Sequence, residues 1–247
     1  MAGTVFLVGL GPGGTAYLTP EARAVLQMVG VVVGHSNCLR RLRRIIKGKE
    51  TLTPDHNPLE RARLAAARAL AGLDVAIVSI GHPGIYAIAS TFYGYLQDNN
   101  LDIPVTVIPG LTLGDYAAAK LGSPLGANHA VISLADRGCS WRDVKAALAA
   151  ALAADFVVVI YNPRGKMGAD RLKRAMDLIL LARSAETPVG LVTDATSRRE
   201  KVIVLPLGAL DAKDVKVDTL LVIGSCTSFI YRGNMITPRS YHPGSGY

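Results

Sequence analysis

Short apolar runs alternate along this chain with stretches where apolar residues recur every three or four positions. Thr4–Val8, Val29–Val33, Val75–Val78, Val105–Ile108, Ala130–Leu134 and Phe156–Tyr161 are apolar at nearly every position, which predicts strands covered on both faces. Helices are predicted between them. Thr19 as N-cap, Pro20 at the first helical position and Glu21-Ala22-Arg23 open one. Asn57 caps a second, Pro58 starts it, Glu60 closes a capping box, Ala and Leu fill it, and Gly72 ends it. Others are expected from Ile85 to about Leu96, from Thr112 to Lys120, from Trp141 to Ala153 and from Ala169 to Ala182. Further strands are expected near Val189–Thr193, Val202–Leu205 and Leu220–Gly224. The alternation implies an α/β fold with largely parallel sheets covered by helices. Pro109–Thr112 is the expected joint between two α/β domains, 1–110 and 111–247, although no long linker marks it.

The strand ends carry the chemistry. Ser79-Ile80-Gly81-His82-Pro83-Gly84-Ile85-Tyr86 follows the third apolar run, and its glycines and proline force a sharp turn with little side chain in the way. Such a loop, at the carboxyl end of a parallel strand, lies where α/β folds bind small ligands. Gly9-Leu10-Gly11-Pro12-Gly13-Gly14 matches the G-x-G-x-x-G dinucleotide pattern, but in the wrong context. The helix signal comes only at Thr19, and the next strand ends in Gly34-His35-Ser36 with no acidic residue for a ribose, which argues against NAD. Ile108-Pro109-Gly110-Leu111-Thr112 and Tyr161-Asn162-Pro163-Arg164 close two more strands. Each loop alone reads equally well as a tight turn; four together suggest one shared ligand site.

Composition narrows the function classes. With 247 residues, half of them hydrophobic, the chain can bury a sizeable core. No apolar run reaches the roughly 18 residues of a membrane span, and the first residues lead straight into a strand without a signal-peptide pattern. Cys38, Cys139 and Cys226 form no metal-binding spacing, which suits packing residues in a reducing cytoplasm. The formal charge of +8 favours anionic partners. With one Trp and no RNP-type aromatic pattern, nucleic acid is not the expected partner. Part of the charge lies in Arg40-Arg41-Leu42-Arg43-Arg44, which also reads as a solvated helix face.

The four loops, in this order, resemble the tetrapyrrole (corrin/porphyrin) methylase family. Gly84-Ile85-Tyr86, Ala130–Asp136, Tyr161–Arg164 and Met235–Arg239 are most similar to its C17-methyltransferase branch in cobalamin synthesis. The resemblance spans nearly the whole chain. It implies two α/β domains with S-adenosylmethionine (SAM) in the cleft between them, a fold unlike the Rossmann methyltransferases. It also implies methyl transfer to C17 of a precorrin or cobalt-precorrin, with ring contraction, and a homodimeric assembly. Carried over by position, Gly81, His82, Ile85, Thr112, Leu113, Tyr161, Asn162 and Ala195 would contact SAM. Gly11, Pro12, Gly13, Arg137, Arg164 and Lys166 would meet the carboxylated macrocycle, since guanidinium grips carboxylate with paired hydrogen bonds. The titratable candidates for proton transfer are His82, His129, Asp136 and Tyr161. His129 also fits a core histidine, and Asp136-Arg137 a structural ion pair. The chain departs from the family in one place, with His82 where the family usually has Asp. That imidazole either meets the macrocycle centre, where nitrogen suits cobalt, or turns outward and leaves only backbone for SAM. Other readings stay open: a methylase of the same fold acting on another precorrin position or on ribosomal RNA, or a ligand-binding relative without turnover.

Overall fold

The computed structural model describes residues 1–55, 57–135, 139–164 and 168–239, with 168 and 169 as backbone alone. The chain divides into two compact units, Met1–Leu113 and Gly114–Tyr247. The first contains β1 (Val5–Gly9), α1 (Pro20–Met28), β2 (Val31–Val33), α2 (Ser36–Leu42), β3 (Glu50–Leu52), α3 (Pro58–Leu70), β4 (Val75–Ser79), α4 (Ile88–Asp98) and β5 (Val105–Ile108). Next come α5 (Leu113–Leu121), β6 (Gly122–Ser123), β7 (His129–Ser133), α6 (Trp141–Ala153), β8 (Val157–Tyr161) and α7 (Gly168–Ala182). The chain then runs through β9 (Pro188–Thr193), β10 (Lys201–Pro206), β11 (Thr219–Ile223), β12 (Phe229–Tyr231) and β13 (Asn234–Ile236).

In the first unit all five strands are parallel, in the order β3-β2-β4-β1-β5. Successive side chains of each strand serve opposite faces. Val75 and Ile77 pack with Ala62, Ala65, Ala66 and Ala69 of α3 and Phe92 of α4; Ala76 and Val78 pack with Ala22 and Leu26 of α1 and Leu39 of α2. That explains why β4 is apolar throughout. The Thr19 hydroxyl accepts a hydrogen bond from Ala22 N at 3.1 Å, so α1 starts as expected. Asn57 Oδ1 accepts from Glu60 N at 3.1 Å, yet the reciprocal half of the expected capping box is not made. The Glu60 carboxylate is held instead by Arg63 Nε and Nη2, and Asn57 N donates to Pro54 O. α4 begins at Ile88 rather than Ile85, because Tyr86 turns with φ 48° and Ile85 N donates to His82 O.

The second unit corrects the expectation of largely parallel sheets. Its sheet runs β10-β9-β11-β8-β7, and only β7 and β8 are parallel. The reason is connection length. A helix crosses over between β7 and β8, whereas β9 reaches β10 through the short link 194–200, which suits an antiparallel neighbour. Ile132, Ile160, Leu191 and Leu221 share one core with Leu148 of α6 and Ile179 of α7. α5 lies against β9 at Gly190, where a Cβ would stand 2.5 Å from a Leu121 methyl. A small sheet, β12-β13-β6, completes the unit. Two arginines sit on the buried stripe of α7 and the turn after it. Arg171 donates to Leu134 O and Cys139 O, and Arg183 donates to Leu152 O, Phe156 O and Gly224 O. No helix among the described residues is long and apolar enough to cross a membrane.

Candidate functional site

In the first unit the parallel register brings Gly9, Ser79 and Ile108 to the same carboxyl edge of the sheet. The loops that leave these strands meet backbone against backbone. A Cβ on Gly110 would lie 2.3 Å from Gly81 O and 2.7 Å from Gly9 C; one on Gly9 would lie 2.6 Å from Gly110 N. Real Cβ atoms do not approach so closely, so glycine is required at both positions by packing alone. Gly11 and Gly81 form an isolated bridge in which Gly81 N donates to Gly11 O at 2.7 Å and Gly11 N to Gly81 O at 3.3 Å. The main-chain groups of Gly81 therefore serve the loop junction, and Gly11, Pro12 and Gly13 are buried. α1 begins at Pro20, so no helix opens inside the glycine motif.

Two features at this junction stand apart from the packing. A Cβ on Gly81, whose φ is +72°, would find nothing nearer than Leu113 N at 4.0 Å. The hydroxyl of Ser79 is buried without a hydrogen-bond partner among the described residues, an expensive state that a ligand would relieve. Ile80, Ile85, Tyr86 and Leu111 are exposed apolar residues on the 80–86 and 109–113 loops, and Thr112 and Leu113 are half-buried. His82 is half-buried, and its Nδ1 accepts from Gly84 N at 3.0 Å. This is the hydrogen bond that an Asp side chain makes to the amide two residues on. The acceptor role puts the proton of the neutral ring on Nε2.

In the second unit the parallel pair β7–β8 sets Ser133 beside Tyr161. Asn162 follows with φ 50°, and its Nδ2 donates to Ser133 Oγ at 3.1 Å. The Tyr161 hydroxyl accepts from Gly114 N at 2.8 Å, satisfying one of the free amides in the first turn of α5. Ala195 lies between Asp194 and Thr196, both with positive φ. The link it belongs to is held by Glu200, whose carboxylate accepts from Thr196 N and Tyr116 Oη and pairs with Lys120. Burial pushes the Glu200 carboxyl up, but these hydrogen bonds and the Lys120 charge outweigh it and hold the group below its ordinary value.

His129 is exposed at the other end of β7 from Ser133, four residues or about 13 Å from the Tyr161 edge. Its exposure also excludes the core-histidine reading. Arg164 Nη2 donates to Ala212 O, while its Nε is buried with no partner among the described residues. Asp136, Arg137 and Lys166 lie outside the described residues. Among the described residues, no group of three or more His, Cys, Asp or Glu side chains could hold a metal ion.

Sequence reasoning passed over Ser79, Arg171 and Glu200. Arg171 was detectable: it lies four and eight residues before Ala175 and Ile179 on the apolar stripe of α7, where a charge demands partners. It fastens both ends of the segment linking β7 to α6. Glu200 carried no such signal, because Tyr116 is 84 positions away.

The model of the Tetrapyrrole (Corrin/Porphyrin) Methylases matches residues 4–211. The chain belongs to that family. It is 36% identical over 236 residues to a probable cobalt-factor III C(17)-methyltransferase of Salmonella typhimurium, covering 95% of this chain and 98% of the relative. It is 31% identical over 249 residues to the precorrin-3B C(17)-methyltransferase of a Sinorhizobium species, with 98% of each chain covered. The crystal structure of the methyltransferase CobJ superposes with a TM-score of 0.89 at 26% identity, over 96% of this chain and all of that one. A uroporphyrin-III C-methyltransferase from Thermus thermophilus, complexed with S-adenosyl homocysteine, shares the fold with a TM-score of 0.67 at 24% identity, over 90% of this chain and 97% of that one.

Proposed function

We propose that the protein is a SAM-dependent C-methyltransferase acting at C17 of a precorrin or cobalt-precorrin macrocycle, with the associated ring contraction, in cobalamin biosynthesis. The observation that carries this reading is the end-to-end similarity to relatives named for that reaction, of both the cobalt and the metal-free kind. Local geometry supports the cofactor. The open side of Gly81 fits a ligand laid against backbone, and Gly81, His82, Ile85, Thr112 and Leu113 would hold it from the first unit. Tyr161, Asn162 and Ala195 are the candidates from the second unit. SAM supplies a methyl carbon on a sulfonium; the protein's task is alignment, which can contribute on the order of 7–11 kcal/mol.

The side chains divide the remaining work. His82 holds its proton at Nε2 and can donate it as a hydrogen bond, while Nδ1 fixes the ring. Tyr161 holds the start of α5, which fits a positioning residue better than a proton shuttle. Arg164, whose guanidinium also holds Ala212 O, is the candidate among the described residues for a carboxylate arm of the substrate. The protein is further proposed to act in the cytoplasm as a homodimer, which light scattering would check against the 26.1 kDa chain mass. The decisive experiment supplies methyl-labelled SAM with cobalt-containing and metal-free macrocycles, then reads product mass and visible spectrum. Label in a ring-contracted product is expected; S-adenosylhomocysteine binding with no transfer to either macrocycle would overturn the assignment.

A further inference from the structure

The arginine run that the sequence leaves as a solvated helix face does something more specific in the fold. Arg40 and Arg41 of α2, with Arg43 and Arg44 just beyond it, line a cavity of about 400 Å³ together with Arg23 of α1, Thr15 and Ile45. Two helices and the end of the glycine loop contribute to it, which a helix face alone would not require. The volume is that of a small-molecule pocket. Arg40 Nη2 donates to Asn37 Oδ1, and Arg23 Nη2 to Thr15 O; both partners are neutral. Among the described residues, no carboxylate forms an ion pair with any of the five arginines. Five exposed like charges around one recess give it a positive potential that attracts a multiply charged anion.

We propose that this cavity is a binding site for a small molecule bearing several carboxylate or phosphate groups. Guanidinium forks grip both groups with paired, charge-assisted hydrogen bonds, and a recess selects a compact polyanion over an extended nucleic-acid backbone. The ligand has two possible sources: the carboxylate arms of a macrocycle, which rests on the function proposed above, or a free phosphoanhydride, which does not.

Isothermal titration with uroporphyrin I (an octacarboxylate) and with tripolyphosphate separates them. The test variant is Arg40→Gln/Arg43→Gln/Arg44→Gln. The control, Arg142→Gln/Lys145→Gln/Lys213→Gln, removes the same charge from exposed positions elsewhere. All carriers of these changes are exposed, and circular dichroism checks that each variant folds. At least one probe should bind the wild type, lose about tenfold or more in the test variant, and change little in the control. The probe that responds identifies the source. Equal losses in both variants, or no binding of either probe to the wild type, would overturn the site. So would a short RNA duplex binding there more tightly than both probes. S-adenosylhomocysteine is titrated alongside. Its binding without any anion response sinks the cavity proposal alone, whereas a phosphate response without cofactor binding sinks only the methyltransferase reading.

Discussion

His82 and His35 use their rings alike. Each follows a strand end of the parallel sheet, and each accepts a hydrogen bond at Nδ1 from the amide two residues on, Gly84 N and Asn37 N. His82 therefore supplies the acceptor that an Asp would supply at such a turn. His82→Asp is expected to leave stability and methyl transfer close to wild type, while His82→Ala should cost about 1 kcal/mol in urea unfolding. Equal losses in the two variants would mean that the turn does not depend on this acceptor. Cys226 shows the opposite use of a carboxylate. Its thiol donates to Asp155 Oδ2 at 2.8 Å, and this hydrogen bond, with burial and the nearby negative charge, raises its pKa. Only the thiolate reacts, so iodoacetamide at about pH 8 should modify Cys226 more slowly than free cysteine. Asp155→Asn should remove the protection, and an unchanged rate would refute this account.

At the scale of elements, the link 194–200 depends on one carboxylate. Glu200 is held below its ordinary value, so the unfolded chain binds its proton first as pH falls. The stabilisation is present above about pH 4.3, the ordinary glutamate value, and disappears as pH drops through the lower folded value. Glu200→Gln should cost on the order of 2 kcal/mol near neutrality, with the gap to wild type closing in urea melts towards acid pH. A gap that stays constant with pH would show that the charge is irrelevant. The same link shows where sequence reading stopped. Strand and helix positions were legible because apolar period and caps are local: α6 runs from Trp141 to Ala153 as expected, behind a capping box of Ser140 and Asp143. Strand direction in the second sheet was not, since it follows from which distant strands pair. The candidate loops were legible as glycine and proline signals, but not the reason for the glycines, which lies in contacts across some seventy to one hundred residues.

For the molecule as a whole, that backbone junction in the first unit tolerates little change. Gly110→Ala should destabilise by on the order of 3 kcal/mol or prevent folding, because a main-chain oxygen occupies the space of the new methyl. Gly14→Ala, with φ +70° but open space around it, should cost only about 1 kcal/mol in the same thermal melts. Similar costs at both sites would mean that conformation, not contact, dominates. The order of strands has a consequence in time as well. β1 is an interior strand, yet its partners are far along the chain, Val5 facing Val75 and Val105. At about 5–20 residues per second, a growing chain carries β1 for several seconds before β4 has been made. Val5-Phe6-Leu7-Val8 is then an unpaired apolar strand on the ribosome. Nascent chains stalled near residue 70 should bind chaperones and be cleaved readily, and those stalled with β5 fully emerged should resist protease.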